Sequence, residues 1–107
     1  MGVSNVNRWA WAEVNLAAYA NNIQSLKNLV APAEVWAVVK ANAYGHGAIP
    51  VAQAALAAGA TGLCVAITDE GVALRRAGIT APILVLSEQP AEMTEFLVGY
   101  GLTPTIA

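Results

Sequence analysis

The sequence is poor in charged residues, and this scarcity sets the first limits on what the chain can be. Only 11% of its 107 residues are Asp, Glu, Lys or Arg, against roughly 25% in an ordinary soluble domain. So few charges are hard to spread over the surface of a free-standing domain. We therefore expect either that other protein covers much of the surface or that the chain is associated with a membrane.

The longest apolar stretch argues against a membrane. Residues 51–68 are mostly Ala and Gly and include the polar Gln53 and Thr61, whereas a spanning helix needs about 20 strongly apolar residues. The N-terminal sequence lacks the apolar core of a signal peptide, and Val6 stands where N-myristoylation requires Ser or Thr. We predict a cytoplasmic protein with no membrane partner.

Cysteine and basic residues are also scarce. Cys64 is the single cysteine, so it cannot form an internal disulfide, and its apolar neighbours favour a small core residue. Five basic and seven acidic residues give a net charge of −2 without a basic stripe. This charge pattern argues against nucleic acid as a partner.

Along the sequence, short apolar runs typical of strands alternate with segments whose apolar residues recur at helical spacing. Residues 8–16, RWAWAEVNL, alternate as a short strand does, and a helix with an apolar face follows as far as Pro32. Further strands are predicted at 34–40, 62–67, 83–86 and 102–106, and further helices at 49–58, from Thr68 to Gly78, and at 90–98.

Repeated strand–helix–strand units with apolar strands predict an α/β fold with a parallel sheet. Four such strands suit either half of an eight-stranded (β/α) barrel or a small open sheet. The chain ends within a predicted strand, and a complete domain usually covers its last parallel strand. We therefore expect the chain to be part of a longer protein.

Lys40 is the first candidate for chemistry. It is one of two lysines and ends the apolar run VWAVVK. In a barrel the active site lies at the C-terminal ends of the strands. Partial burial there would disfavour the ammonium form, and a neutral amine is what Schiff-base chemistry requires. The alternative is a lysine that extends into solvent from the strand end.

The loop that follows, residues 41–47, contains two glycines that permit close approach of the backbone to a ligand. Tyr44 could donate its hydroxyl to a phosphate or could pack on the rim of the fold. His46 is the single histidine and has no companion at metal-ligand spacing. We interpret it as a loop residue, with a hydrogen bond near the site as the alternative, and predict no metal.

Residues 37–47, AVVKANAYGHG, resemble the cofactor-lysine motif of bacterial alanine racemases. The likeness continues through ALAAGATGLCVA, TDE, AGITAPILVLSE and LTPT. It implies the N-terminal half of a (β/α)8 barrel, preceded by a short strand. Residues 1–16 would then pair with a C-terminal β domain that this chain does not contain, and residues 17–107 would form the first half of the barrel.

The resemblance also implies roles for single residues. Lys40 matches the lysine that holds pyridoxal 5'-phosphate as an internal aldimine and serves as one of two catalytic bases. Tyr44 matches the tyrosine that binds the cofactor phosphate, and Val38 and Leu86 match apolar positions that line the cofactor pocket. The second base belongs to a partner subunit, since the family forms homodimers.

The implied function is interconversion of L-alanine and D-alanine, which supplies D-alanine for the bacterial cell wall. With one of two bases present, the 107-residue chain alone is expected to be inactive. One alternative is a non-racemising protein of the same barrel type that binds pyridoxal phosphate for its homeostasis, although YGHG argues against it. Another is an amino-acid racemase of broad specificity.

Overall fold

Helices and short parallel strands alternate along residues 5–39 and 47–105, the part of the chain that the computed structural model describes. The elements in chain order are α1 (Asn5–Val30), β1 (Trp36–Val38), α2 (Ala48–Ala57), β2 (Gly62–Val65), α3 (Thr68–Arg76), β3 (Ile83–Val85), a 3₁₀ turn (Ala91–Met93) and α4 (Thr94–Gly99). None of the helices within these ranges combines the length and apolar character needed to cross a bilayer.

The three strands form one parallel sheet whose spatial order, β1-β2-β3, equals their order in the chain. Ala37 is in register with Leu63, and Leu63 with Ile83. Each strand therefore adds beside the one before it, which is the order in which a (β/α)8 barrel is built. A doubly wound sheet, by contrast, reverses its direction at a switch point.

Helix α2 packs against α1, and small side chains form part of its buried face. Ala52 and Ala55 are completely buried there. Pro50 falls in the first turn, where its missing N–H is not needed. After the helix, Gly59 adopts a φ of +111°, a conformation that glycine tolerates best, and turns the chain towards β2.

The core lies between the sheet and these helices. One face of the sheet contributes side chains with at most 4% exposure, and α2 and α3 contribute the residues that cover them. The strand members of this core are Ala37, Val39, Leu63, Val65, Ile83 and Val85.

Helix α1 corrects the prediction of a short strand at residues 8–16, because the helix begins at Asn5 and continues unbroken to Val30. A strand depends on a neighbouring strand for its hydrogen bonds, whereas a helix forms them within itself. Alanine, the strongest helix former, recurs through this segment. The predicted apolar face is correct for Leu16, Tyr19 and Ile23, which contact the core. The proposed pairing of residues 1–16 with a β domain stays a prediction.

The predicted strand at 102–106 is reduced to a single parallel bridge between Leu84 and Thr103 within the described residues. The bridge is well formed, since the Thr103 N–H donates to Ile83 O and the Val85 N–H donates to Thr103 O, both at 2.8 Å. At the next position the hydroxyl of Thr105, rather than the main chain, donates to Val85 O at 2.6 Å. A side chain thus takes the acceptor that a longer ladder would use.

Candidate functional site

The C-terminal ends of the three strands meet at one edge of the sheet, and the hydrogen-bonded ladder continues slightly beyond them. The Val39 N–H donates to Cys64 O at 2.7 Å, and the Leu86 N–H donates to Val65 O at 2.8 Å. A longer bond of 3.3 Å joins the Ser87 N–H to Ala66 O. This edge is where parallel α/β folds place their ligands.

The two faces of the sheet differ in what covers them. Along β1 and the residue after it, the side chains alternate between exposed Trp36 and Val38 and buried Ala37 and Val39. The buried set faces the helices, as described above. We call the opposite face, which carries Trp36, Val38, Cys64, Leu84 and Leu86, the open face.

Val38 and Leu86, the two predicted pocket residues that the structure describes, both lie on the open face near the C-terminal edge. Val38 shares a register row with Cys64 and Leu84, and Leu86 is one row further along, two residues beyond Leu84. Val38 is 50% exposed and Leu86 is 42% exposed. Two large apolar side chains are therefore available to a ligand at this edge, although their role in binding stays a prediction.

Lys40, Tyr44 and His46 lie outside the described residues. The chain nevertheless enters their segment from a defined point, because Val39 is 1% exposed and its N–H is bonded to β2. It leaves the segment at Gly47, whose φ of +85° precedes the first residue of α2.

Trp36 occupies the lower part of the open face and lies across β2. A Cβ atom added to Gly62 would come within 2.5 Å of Cζ3 of the indole. The absence of a side chain at Gly62 is therefore what allows the ring to cover the central strand. The indole Nε1 also donates to Glu34 Oε1 at 3.2 Å.

The start of α3 is stabilised by a side chain from its own first turn. Thr68 is the first helical residue rather than the N-cap, a position taken by Ile67. Glu70, in the first turn, accepts hydrogen bonds at Oε1 from the N–H groups of Ala66 at 2.7 Å and Ile67 at 3.1 Å. The carboxylate thus satisfies backbone donors that the end of β2 and the helix start would otherwise leave open.

Gln89 is a residue at this edge that the sequence patterns did not indicate. Its side chain lies against the start of α3, where Oε1 accepts hydrogen bonds from both the N–H and the hydroxyl of Thr68. The same residue helps to line a cavity of about 300 Å³ between the segment after β3 and residues 102–105. The contact joins residues 21 positions apart, so no local spacing announces it.

Cys64 is buried within β2, with 7% of the residue exposed. Burial raises the pKa of this thiol above its ordinary value, so the neutral form predominates at neutral pH and nucleophilic thiolate is scarce. The prediction of a small core residue is therefore confirmed. Within residues 5–39 and 47–105, no three His, Cys, Asp or Glu side chains cluster as metal ligands would.

Comparison with solved structures shows the same arrangement of elements. The crystal structure of alanine racemase from Bacillus anthracis with bound L-Ala-P matches 85% of this chain with a TM-score of 0.82 at 48% identity, and the match covers 24% of that protein. A histidine racemase from Leuconostoc mesenteroides matches 86% of this chain with a TM-score of 0.79 at 30% identity, covering 25% of that protein. The predicted α/β fold class, the N-terminal part of a (β/α)8 barrel, is confirmed, apart from the strand before it.

Sequence comparison leads to the same group. The alanine racemase of Carboxydothermus hydrogenoformans is 52% identical over 99 residues, which are 92% of this chain and 27% of that enzyme. The chain thus spans about a quarter of the length of the curated relatives that it matches. A family profile described as the N-terminal domain of alanine racemase matches residues 14–107. The chain therefore belongs to the family of alanine racemase N-terminal domains.

Proposed function

We propose that this chain provides the Lys40-bearing part of an alanine racemase that uses pyridoxal 5'-phosphate and interconverts L-alanine and D-alanine. The observation that carries the proposal is the pair of exposed apolar side chains on the open face, Val38 at the end of the strand that leads into Lys40 and Leu86 just after β3. The racemase names of the sequence relatives and structural neighbours support the same reaction.

The residues at the edge of the open face fit such a cofactor. An aromatic pyridine ring needs apolar contacts, and Val38 and Leu86 offer them at the C-terminal ends of β1 and β3, the two strands on either side of β2 in the parallel sheet. Alternation along a strand has a period of two residues, so we expect Lys40 to follow Val38 on the open face and to fall in the row of Leu86.

Pyridoxal phosphate, when bound to an amino acid, acidifies the proton on the α-carbon. Lys40 would hold the cofactor through its amine and would take up or return the α-proton on one side of the substrate. The hydroxyl of Tyr44 would donate to the cofactor phosphate, and Val38 and Leu86 would keep water from the ring.

Racemisation requires proton transfer on both sides of the α-carbon, and Lys40 serves only one of them. We propose that the second base comes from a partner subunit in a cytoplasmic homodimer and that the product D-alanine serves cell-wall synthesis. The 107-residue chain alone should form D-alanine at less than about a tenth of the rate of the complete enzyme, because removing one catalytic proton transfer typically costs at least 10²-fold.

The test of Lys40 uses borohydride reduction of the complete protein with bound cofactor, followed by peptide mapping. The pyridoxyl group should appear on Lys40, and Lys40→Arg should abolish both the label and racemisation, since a guanidinium stays protonated. Lys27→Arg is the matched control, because the Lys27 side chain lies over Gly59 near the end of α2, away from the C-terminal edge. A label on Lys27, or racemisation that survives in Lys40→Arg, would contradict the proposal.

A racemase with a different or broader substrate range is the second candidate. The structural match to a histidine racemase at 30% identity favours keeping it. Initial rates of the complete enzyme with L-alanine, L-serine and L-histidine distinguish the two: at least tenfold higher kcat/KM for alanine supports the first candidate. Comparable values for the three amino acids support the second.

A further inference from the structure

Thr68 is a buried polar side chain with 1% exposure at the first residue of α3. A buried hydroxyl without an acceptor is destabilising, so the fold must provide one. Gln89 provides it: Thr68 Oγ1 donates to Gln89 Oε1 at 2.9 Å, and the Thr68 N–H donates to the same oxygen at 3.0 Å. One amide oxygen thus serves both the side chain and the main chain of Thr68.

The other end of the Gln89 amide is also engaged. Its Nε2 donates to the carbonyl oxygen of Ser87 at 3.1 Å. A glutamine side chain has one acceptor group and one donor group, and here each binds a different segment. The Gln89 side chain therefore ties the residues that follow β3 to the helix that follows β2, and we call this arrangement the Gln89 clasp.

The Gln89 clasp binds the chain one residue after Leu86, a residue of the candidate site. Leu86 is still fixed by the sheet, through its N–H bond of 2.8 Å to Val65 O, but the next ladder bond, from the Ser87 N–H to Ala66 O, lengthens to 3.3 Å. Backbone hydrogen bonds are commonest near 2.9–3.0 Å, so the sheet holds Ser87 less firmly than Leu86. The bond from Gln89 to Ser87 O supplies the next constraint on this segment.

We infer that Gln89 is a positioning residue which, through Thr68 and Ser87, fixes Leu86 against the cofactor ring at the edge of the open face. The inference rests on the proposed function, since it takes Leu86 to contact the cofactor. It adds a polar clasp, outside the cofactor contacts themselves, as a determinant of cofactor geometry.

The test compares four variants in the complete protein. Gln89→Leu removes the whole clasp at similar volume, whereas Gln89→Glu keeps oxygen acceptors for Thr68 but loses the donor to Ser87. Thr68→Val removes the hydroxyl donor, and Thr68→Ser retains it. Ile79→Val is the matched control, because Ile79 is a core residue with 6% exposure that takes no part in the clasp.

The readouts are the dissociation constant for pyridoxal phosphate, the circular dichroism of the bound cofactor, and hydrogen exchange across residues 86–89. Gln89→Leu should weaken cofactor binding about tenfold, as expected for lost hydrogen bonds at a site that must be preorganised. It should also change the dichroic band and speed exchange. Gln89→Glu and Thr68→Val should show smaller changes in the same direction, Thr68→Ser should resemble the wild type, and Ile79→Val should lower only the melting temperature.

Two outcomes overturn the inference about Gln89 and leave the proposed function intact. In the first, Gln89→Leu lowers the melting temperature as Ile79→Val does but leaves cofactor affinity and dichroism unchanged. In the second, Thr68→Ser is as defective as Thr68→Val. If Gln89→Leu fails to fold, Gln89→Glu and Thr68→Val decide the same question. Failure of the wild-type protein to bind pyridoxal phosphate would instead remove the proposed function, and the inference with it.

Discussion

Replacing Arg75 by methionine should destabilise the fold far more than the same change at its neighbour Arg76. Arg75 lies in the last turn of α3, and its guanidinium donates to four backbone carbonyl groups. Nε donates to Tyr100 O at 2.8 Å, Nη1 to Ile79 O at 2.9 Å and Ala81 O at 2.6 Å, and Nη2 to Gly101 O at 3.1 Å. One side chain thus joins the turn before β3 to the turn after α4.

The expected loss of stability in Arg75→Met follows from how far these hydrogen bonds are buried. Three of the four are partly buried and one is exposed. Each partly buried carbonyl that loses its donor costs about 1 kcal/mol of stability, whereas an exposed carbonyl accepts a hydrogen bond from water instead at little cost. We therefore expect the free energy of unfolding to fall by about 3 kcal/mol. Methionine retains the unbranched stem, so most of this loss is polar.

Arg76 provides the comparison. It donates from Nε to the hydroxyl of Tyr100 at 3.2 Å in an exposed contact, with its guanidinium carbon 5.8 Å from the ring centre. Such a contact contributes at most about 1 kcal/mol. Arg75→Lys should recover little of the loss at Arg75, because a single ammonium cannot span both turns as the planar guanidinium does.

Urea unfolding followed by circular dichroism measures the difference. For a slope of about 1–3 kcal/mol per molar urea, the midpoint of Arg75→Met should fall by about 1–3 M. Arg76→Met should shift it by less than about 1 M on the same scale. Equal midpoints for the two methionine variants, or an Arg75→Lys variant as stable as the wild type, would show that the carbonyl contacts do not hold the turns together.

Three further predictions concern the open face and the loop beyond it. Gly62→Ala should lower the free energy of unfolding by about 1–3 kcal/mol in a thermal melt, because the new methyl group meets the Trp36 ring. The control Gly99→Ala, whose methyl group meets no atom within 4 Å, should cause no loss of stability. Equal effects of the two changes would refute the argument. Tyr44→Phe should weaken binding of pyridoxal phosphate by about one to two orders of magnitude in a titration, as expected for a lost bond to a charged group; unchanged affinity would mean that Tyr44 only packs. Cys64 should react with iodoacetamide much more slowly at pH 8 than after unfolding in urea, because burial raises the pKa of its thiol. The same shift should make the fold lose stability as the pH rises through that raised pKa, and equal rates of alkylation would contradict both statements.

The middle of the fold could be predicted because local signals agree there. Helices α2 and α3 are followed by Gly59 and Gly78, which adopt the positive φ values expected after helices, +111° and +92°. The predicted helix at 49–58 corresponds to α2, Ala48–Ala57, and the predicted strand at 83–86 to β3, Ile83–Val85. The positions of Val38 and Leu86 as pocket residues came from the family resemblance and not from the strand pattern, and their role stays a prediction.

The structural predictions from sequence were wrong or incomplete where contacts with residues distant in the sequence decide the local structure. Residues 8–16 alternate like a strand and are rich in alanine like a helix, and only the availability of a neighbouring strand can choose between the two. The predicted helix at 90–98 is correct in position but opens as a 3₁₀ turn, Ala91–Met93, before α4 begins at Thr94. The bond between Thr68 and Gln89 depends on side-chain geometry across the crossover from β2 through α3 to β3, which no pattern in a single sequence encodes.

The order of the sheet has a consequence for how the chain acquires its structure during synthesis. Among residues 5–39 and 47–105, each strand after the first pairs with the one made just before it, so none of these three strands has to be inserted between two that have already formed. Each pairing therefore closes only a loop of one helix and its turns, and the entropy lost in closing a loop grows with its length. A ribosome that releases the N-terminus first thus delivers the strands in the order in which the sheet can use them. While synthesis continues, the growing edge beside β3 is the place where the next strand adds.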